Sequence, residues 1–168
     1  MQQVVREELH MNVKKIAWMA VIIGLTISLG SAFAFDKLFI VGNQASIDRA
    51  RDFFTTLSNE SIPLAIISDQ FDKVKNEKYI IVLGGAKGTG SVEDFVKLVL
   101  TKEELESGNQ AGGKMFAKEN VFTQGQTIIV FTGADEAAAA EARKNSRKNW
   151  WPYLVKWFEL DTSMPMAY

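Results

Sequence analysis

After residue 36, the chain alternates short apolar runs with amphipathic segments. Four apolar runs bounded by glycine, proline or polar residues predict buried strands; they are Lys37–Gly42, Ile62–Ile67, Tyr79–Leu83 and Thr127–Phe131. Met115–Phe122 is a weaker candidate for a further short strand. Strands that alternate with helices predict a small three-layer α/β domain. We expect a mainly parallel sheet of about four strands, with room for an antiparallel strand at one edge.

Polar residues at the starts of the amphipathic segments predict where the helices begin. Ser46 is the expected N-cap of the first helix of this domain, and Ser91 is expected to cap the helix after the third strand. Asp135 should open the helix that follows the last strand. The final helix is predicted to start at Pro152, since proline suits a first helical turn. The glycine-rich stretch Ser107–Gly113 is typical of a loop.

The segment Ile16–Phe35 is an uncharged run of twenty residues, IAWMAVIIGLTISLGSAFAF. At about 1.5 Å per residue, a helix of this length spans roughly the 30 Å hydrocarbon core of a bilayer. Lys14 and Lys15 precede it, and the positive-inside rule therefore leaves the N-terminus in the cytoplasm. With Trp18 they form the predicted membrane-boundary residues. The sequence thus divides into a cytoplasmic segment 1–15, a single-pass anchor 16–35 and an exported domain 36–168.

A cleavable signal peptide is the alternative interpretation of the same segment. Translation from Met11 instead of Met1 would give a basic start, an apolar core and an Ala32-x-Ala34 ending, the outline of a secretory signal. The domain would then be secreted after cleavage near Ala34. The membrane lipid is a partner through residues 16–35 only if the anchor is retained. Both interpretations predict that residues 36–168 leave the cytoplasm.

Composition excludes several classes of chemistry. The chain has no cysteine, which removes disulfides, thiolate metal sites and a cysteine nucleophile. His10 is its one histidine, so triads and zinc sites built on histidine are excluded. The net charge of −1 argues against nucleic acid as a partner. We expect no cofactor and no metal, and the scattered carboxylates make an enzyme the least favoured class.

The stretch YIIVLGGAKGTGS carries the strongest motif of the chain. The spacing of Gly84, Gly88 and Gly90 resembles the nucleotide-binding loop of short-chain dehydrogenases, in which backbone N–H groups approach a pyrophosphate. That family places its loop after the first strand and carries a Tyr-x-x-x-Lys motif, whereas Tyr153 and Lys156 are one residue closer. We therefore predict a strand-to-helix turn, with contact to an anion or other small ligand as the alternative.

The residues that follow the predicted strands form a candidate ligand-binding rim. If the strands are parallel, the residues after their carboxyl ends share one edge of the sheet. The weak ligand-binding candidates are Asn43, Asp69, Gly84, Gly85, Gly88, Gly90, Ser91 and Asp135. A divalent cation held by Asp69 and Asp135 is conceivable because hard cations take oxygen ligands. The favoured interpretation is that both are caps and turn formers.

An aromatic segment, RKNSRKNWWPYLVKWFEL, lies near the C-terminus. It can pack on the sheet, anchor a protein partner, or lie against a membrane or a glycan. We predict that Leu154 and Trp157 pack inward and that Trp150 or Trp151 stays accessible. The predicted interaction surface therefore consists of Trp150, Trp151 and Tyr153.

The stretch from IIVLGG through LTKEEL to FAKENVFTQGQTIIVFTGADEAAAAEAR resembles a module of archaeal surface-layer-related, membrane-anchored exported proteins. The resemblance covers about residues 79–143, and the chain is much shorter than a lattice-forming surface protein. It implies a role in the cell envelope without an established catalytic activity. The predicted function is that of an extracytoplasmic module that binds envelope proteins or itself. The alternatives are a small-ligand- or nucleotide-binding domain that uses Gly84–Gly90 and, less favoured, a metal-assisted hydrolase.

Overall fold

A computed structural model describes residues 36–84, 90–110 and 112–161, which contain a mixed five-stranded sheet. The strands are β1 (Leu38–Gly42), β2 (Leu64–Ser68), β3 (Tyr79–Leu83), β4 (Lys114–Glu119) and β5 (Thr127–Thr132). Their order across the sheet is β2-β1-β3-β5-β4. The first four in this order are parallel, whereas β4 pairs antiparallel with β5 at one edge. The α/β prediction is confirmed; the weak candidate strand is real and brings the count from about four to five.

Six α-helices and one short 3₁₀ helix are described around the sheet. They are α1 (Gln44–Asp48), α2 (Arg51–Asn59), the 3₁₀ helix (Phe71–Lys73), α3 (Ser91–Val99), α4 (Lys102–Gly108), α5 (Glu136–Asn145) and α6 (Arg147–Phe158). α2 and α6 pack on one face of the sheet. The 3₁₀ helix, α3 and α4 pack on the other. The domain is thus built in three layers.

Both faces of the central strands are buried, which explains why their sequences are continuously apolar. Side chains alternate between the faces with the strand period of two. Ile81 and Ile129 lie in the cluster with α2 and α6, while Ile80 and Ile128 lie in the cluster with α3. All five residues of β3 and all six of β5 are buried.

Two of the predicted helix starts are wrong. The N-cap of α1 is Asn43, whose Oδ1 accepts a hydrogen bond from the Ser46 backbone N–H at 2.8 Å. Ser46 lies within the helix with its side chain buried. Gly90, whose φ is +140°, is the N-cap of α3, so that Ser91 is the first helical residue instead of the cap. In both cases a residue nearer the preceding strand takes the N-cap position.

The C-terminal helices also differ from expectation. Asp135 caps α5 as predicted, since its Oδ1 accepts the Ala138 N–H at 2.8 Å. Pro152, however, lies inside α6, which begins five residues earlier at Arg147. A proline inside a helix removes one backbone hydrogen-bond donor, yet α6 continues past Pro152 to Phe158. The predicted loop at Ser107–Gly113 begins late, because α4 extends to Gly108 from a capping box formed by Thr101 and Glu104.

No helix within the described ranges is both long and apolar enough to span a bilayer. The predicted anchor, residues 16–35, and its boundary residues Lys14, Lys15 and Trp18 lie outside those ranges.

Candidate functional site

The carboxyl ends of the four parallel strands meet at one edge of the sheet, which we call the carboxyl edge. Asn43 follows β1, Asp69 follows β2, Gly84 follows β3 and Asp135 follows the end of β5. The pairing of these strands places the four residues on a common rim, as the sequence predicts. Their role in ligand binding stays a prediction.

A crevice is expected at this edge between β1 and β3. Helix α2, which follows β1 and α1 in the chain, covers one face of the sheet, while α3, which follows β3, covers the opposite face. Open α/β sheets bind ligands where connections diverge in this way. Asn43 and Gly84 flank this point. The candidates Gly85 and Gly88 lie outside the described residues.

Asn43, Ser91 and Asp135 of the rim are engaged in hydrogen bonds within the domain. The Asn43 Nδ2 donates to Glu136 Oε1 at 3.1 Å, which joins the start of α1 to the start of α5. The Ser91 Oγ donates to the Asp69 carbonyl oxygen at 2.7 Å, which joins α3 to the loop after β2. Together with the N-cap bonds of Asn43 and Asp135, these contacts fix the loops in place.

Gly84 has a packing role at the end of β3. Its N–H donates to the Phe131 carbonyl oxygen at 3.1 Å, which continues the ladder beyond the strand. A Cβ at this position would lie 3.0 Å from Cγ1 of Val92 in α3. The absence of a side chain thus lets α3 approach the strand, as expected for a strand-to-helix turn.

The structure argues against a cation shared by Asp69 and Asp135. They follow β2 and β5, which are separated by three strand spacings, or about 14 Å. A hard cation holds its oxygen ligands at about 2.3–2.6 Å. Within residues 36–84, 90–110 and 112–161, no group of three or more acidic or histidine side chains is placed to hold a metal.

Trp150 is part of the core, which corrects the predicted interaction surface. Its side chain is 4% exposed, its ring meets the Phe53 ring edge-on at 5.2 Å, and its Nε1 donates to the Arg143 carbonyl oxygen at 2.9 Å. The early start of α6 places Trp150 and Leu154 one turn apart on the same inward face. Leu154 is buried as predicted, while Trp151 and Tyr153 are half-buried.

Aromatic rings gather at the opposite edge of the sheet, the amino edge, where the parallel strands begin. Trp157 stacks on Tyr79, the first residue of β3, with ring centroids 4.6 Å apart. Phe158 lies 5.7 Å from Tyr79, and Tyr153 lies 5.7 Å from Trp157. We call these four residues the amino-edge cluster. Trp157 packs against the core as predicted. Tyr153, Trp157 and Phe158 nevertheless keep part of their surface exposed to solvent.

The domain also begins at the amino edge. The Asp36 carboxylate accepts a hydrogen bond from Lys78 Nζ at 2.5 Å, and the same ammonium group lies 4.7 Å from the centre of the Tyr79 ring. The hydrogen bond to Asp36 raises the pKa of Lys78 above its ordinary value, with a further contribution from Tyr79. Lys78 thereby links Asp36, the first described residue, to Tyr79 of the amino-edge cluster.

The two lateral edges of the sheet differ in charge. The edge strand β4 carries Lys114, Lys118 and Glu119, and Lys118 Nζ pairs with Glu104 Oε1 of α4 at 2.5 Å. The other edge strand, β2, reads LAIIS and has no charge, and its Ile66 is 43% exposed. Charged side chains on an edge strand discourage the addition of another strand. Only β4 has this protection.

Arg143 is a structural residue that the sequence interpretation missed. It is 2% exposed, and its Nη2 donates to Asp52 Oδ1 at 3.0 Å and to the Arg49 carbonyl oxygen at 3.2 Å. Its guanidinium lies 5.1 Å from the Phe53 ring. Burial lowers the pKa of Arg143, and the neighbouring Asp52 carboxylate opposes that shift. These contacts join α5 to α2; the basic run around Arg143 gave no sign of which cation is buried.

Comparison of the chain with protein-family models, with curated proteins and with solved structures found no match.

Proposed function

We propose that this chain is a membrane-anchored, extracytoplasmic α/β module that works by binding other proteins of the cell envelope. The observation that carries the proposal is the uncharged edge strand β2. Within the described residues, β2 pairs only with β1, so one side of its backbone is available for another strand. An extended segment of a partner protein would add to the sheet there, a common mode of peptide recognition.

The side chains of β2 suit an apolar partner strand. Leu64 and Ile66 pair with Leu38 and Ile40 and so face the α2 side, while Ala65 and Ile67 face the other side. An added strand would therefore meet apolar neighbours on both faces of the sheet. Backbone hydrogen bonds would supply affinity, and the side chains at alternate positions would supply selectivity.

The rest of the described surface favours this function over a small-ligand site. Asn43, Ser91 and Asp135 of the rim are already hydrogen-bonded to neighbouring elements of the domain, and Trp150 is unavailable because it is buried. The β4 edge is charged. The β2 edge thus combines an available backbone with apolar side chains, the two features that strand addition requires.

Site-specific photocrosslinking in the full chain, in its own membrane, tests the proposed binding edge. A photoreactive residue placed at Ile66 should form a defined crosslink to a partner protein. The matched control is Leu98 on α3, which is 71% exposed and lies on the other face of the domain. Crosslinks of equal yield from both positions, or none from position 66, would contradict a partner at β2.

A charge at the edge supplies the complementary test. Ile66→Lys should abolish the crosslink from a neighbouring position such as Ser68, while Leu98→Lys leaves it unchanged. Since both side chains are exposed, each change should alter the free energy of unfolding by less than about 1 kcal/mol. Protease added to intact cells should digest residues 36–168; complete protection until the membrane is broken would refute the extracytoplasmic location.

A further inference from the structure

Helix α6 carries aromatic side chains from near the carboxyl end of β5 to the amino edge of the sheet. Near its start, the Trp150 ring lies 6.5 Å from Phe131, at the carboxyl end of β5. Near its end, Trp157 stacks on Tyr79, at the amino end of β3. The helix therefore runs antiparallel to the strands, so its last turn lies at the edge where the domain begins.

The amino-edge cluster is amphipathic. One side of the cluster packs on the core, where Tyr79 is buried, and Leu160 packs beside it. Tyr153, Trp157 and Phe158 keep part of their surface exposed. Tryptophan and tyrosine combine an apolar ring with a polar tip and are enriched at the level of lipid headgroups. This chemistry suits a lipid–water interface better than open solvent.

The sequence that precedes the described residues favours a membrane as the interface beside the amino-edge cluster. The uncharged run ends at Phe35, and only Asp36 and Lys37 separate it from the first residue of β1. Two fully extended residues reach about 7 Å. The headgroup layer on each side of a bilayer is about 5–8 Å thick. If residues 16–35 span a membrane, this tether is no longer than the depth of the headgroup layer.

We propose that the amino-edge cluster inserts its exposed rings into the headgroup region of the membrane that anchors the chain. This inference rests on the anchor in the proposed function. The lipid interface would hold the domain with its amino edge toward the bilayer and leave the β2 edge open at the side. The carboxyl edge, about 17 Å away along a five-residue strand, would face away from the lipid.

Single-cysteine labelling tests the proposal directly, because the chain contains no cysteine. Lys156→Cys places a fluorophore beside Trp157, and Ala137→Cys places the same fluorophore at the start of α5, on the carboxyl edge; both side chains are exposed. The full chain is reconstituted in phosphatidylcholine vesicles whose headgroups partly carry a nitroxide quencher. Quenching should be at least threefold stronger at position 156 than at position 137.

The outcomes separate this inference from the anchor itself. A chain that floats with the vesicles but is quenched equally at both positions overturns the inference alone. A chain that fails to float overturns the anchor as well, and with it that part of the proposed function. Trp157→Ser in the Lys156→Cys background should reduce quenching at least twofold. If circular dichroism shows that Trp157→Ser does not fold, Tyr153→Ser serves as the second variant. Unchanged quenching in a folded variant would show that the aromatic rings do not contact the headgroup region, and it would overturn the inference.

Discussion

The two ends of the parallel strands contrast in how their side chains are used. At the carboxyl edge, Asn43 and Ser91 join loops through hydrogen bonds to Glu136 and to the Asp69 backbone. At the amino edge, Tyr153, Trp157 and Phe158 are half-buried around Tyr79, beside the point where the domain begins. The first edge is polar and internally bonded, while the second is aromatic and partly open.

This contrast separates the motif of the chain from the two surfaces that we propose as interaction sites. The glycine and polar residues at the carboxyl edge resemble a binding loop, yet the described ones shape the turns between strands and helices. The amino edge carries no motif, and its rings are adjacent only because α6 and β3 meet there. The proposed interaction surfaces therefore rest on contacts between elements distant in sequence, and not on the glycine motif.

The largest expected effect comes from removing the tryptophan at each end of α6. Trp150→Ala should lower the free energy of unfolding by about 3–5 kcal/mol, because the ring is fully packed and its Nε1 partner would be left unpaired. Trp157→Ala should cost about half as much, since part of its ring is already exposed. Urea unfolding of both variants measures the difference. An equal loss of unfolding free energy in the two variants would mean that Trp157 is packed as tightly as Trp150.

A smaller effect is expected from removing the polar bridge of the carboxyl edge. Asn43→Ala should cost about 1–2 kcal/mol, since the N-cap of α1 and the bond to Glu136 are both lost. Asn59→Ala, the same substitution at the exposed last residue of α2, is the control and should change stability by less than about 0.5 kcal/mol. Similar values for the two variants in thermal or urea unfolding would show that the bridge is not structural.

The smallest effect concerns the ion pair at the amino edge and depends on pH. The pKa of Lys78 is raised in the folded domain by Asp36, so the pair stabilises fully below the unfolded pKa of about 10.4 and loses its effect as pH rises through the folded value. Because both groups are half-exposed, Lys78→Met should cost no more than about 1 kcal/mol near pH 8.

Urea unfolding at pH 8 and at pH 11 to 12 checks the sign of this effect. The stability gap between the natural chain and Lys78→Met should narrow toward high pH. In an Asp36→Asn background, Lys78→Met should change the free energy of unfolding little at either pH, because the ion pair is already lost. A gap that widens with pH would contradict the raised pKa.

Strands β1, β3 and β5 could be predicted well because they are buried along almost their whole length. Tyr79–Leu83 has the predicted bounds, and the first and last predicted strands differ from β1 and β5 by one residue. Prediction of β2 was shifted by two residues at its start, where Pro63 precedes the strand. Local apolar runs between glycines and polar residues carry this information without help from tertiary structure.

The helix starts were harder to predict, since several capping residues stand close together. Asn43 and Ser46 both suit an N-cap, and only the geometry at the end of β1 decides that Asn43 takes this position. Pro152 suits a helix start but is accommodated inside α6. That error of five residues changed the interaction surface, because it hid the one-turn spacing of Trp150 and Leu154.

The order of strands and the burial of Arg143 could not be read from the chain. The uncharged sequence of β2 was visible, but an uncharged strand indicates a binding edge only once it is known to lie at the side of the sheet. Arg143, Lys144, Arg147 and Lys148 look alike in sequence. Arg143 alone among them is classed as buried, where α5 passes Asp52 and Phe53.

The position of β1 has a mechanical consequence. Force applied to the chain at Asp36 enters β1, which is hydrogen-bonded along its length to β2 on one side and to β3 on the other. A pull along the strand axis loads these two ladders in shear, so many bonds share the force, whereas a pull across the strand would open them one after another. A domain held at Asp36 would thus resist extraction through a strand that is paired on both sides.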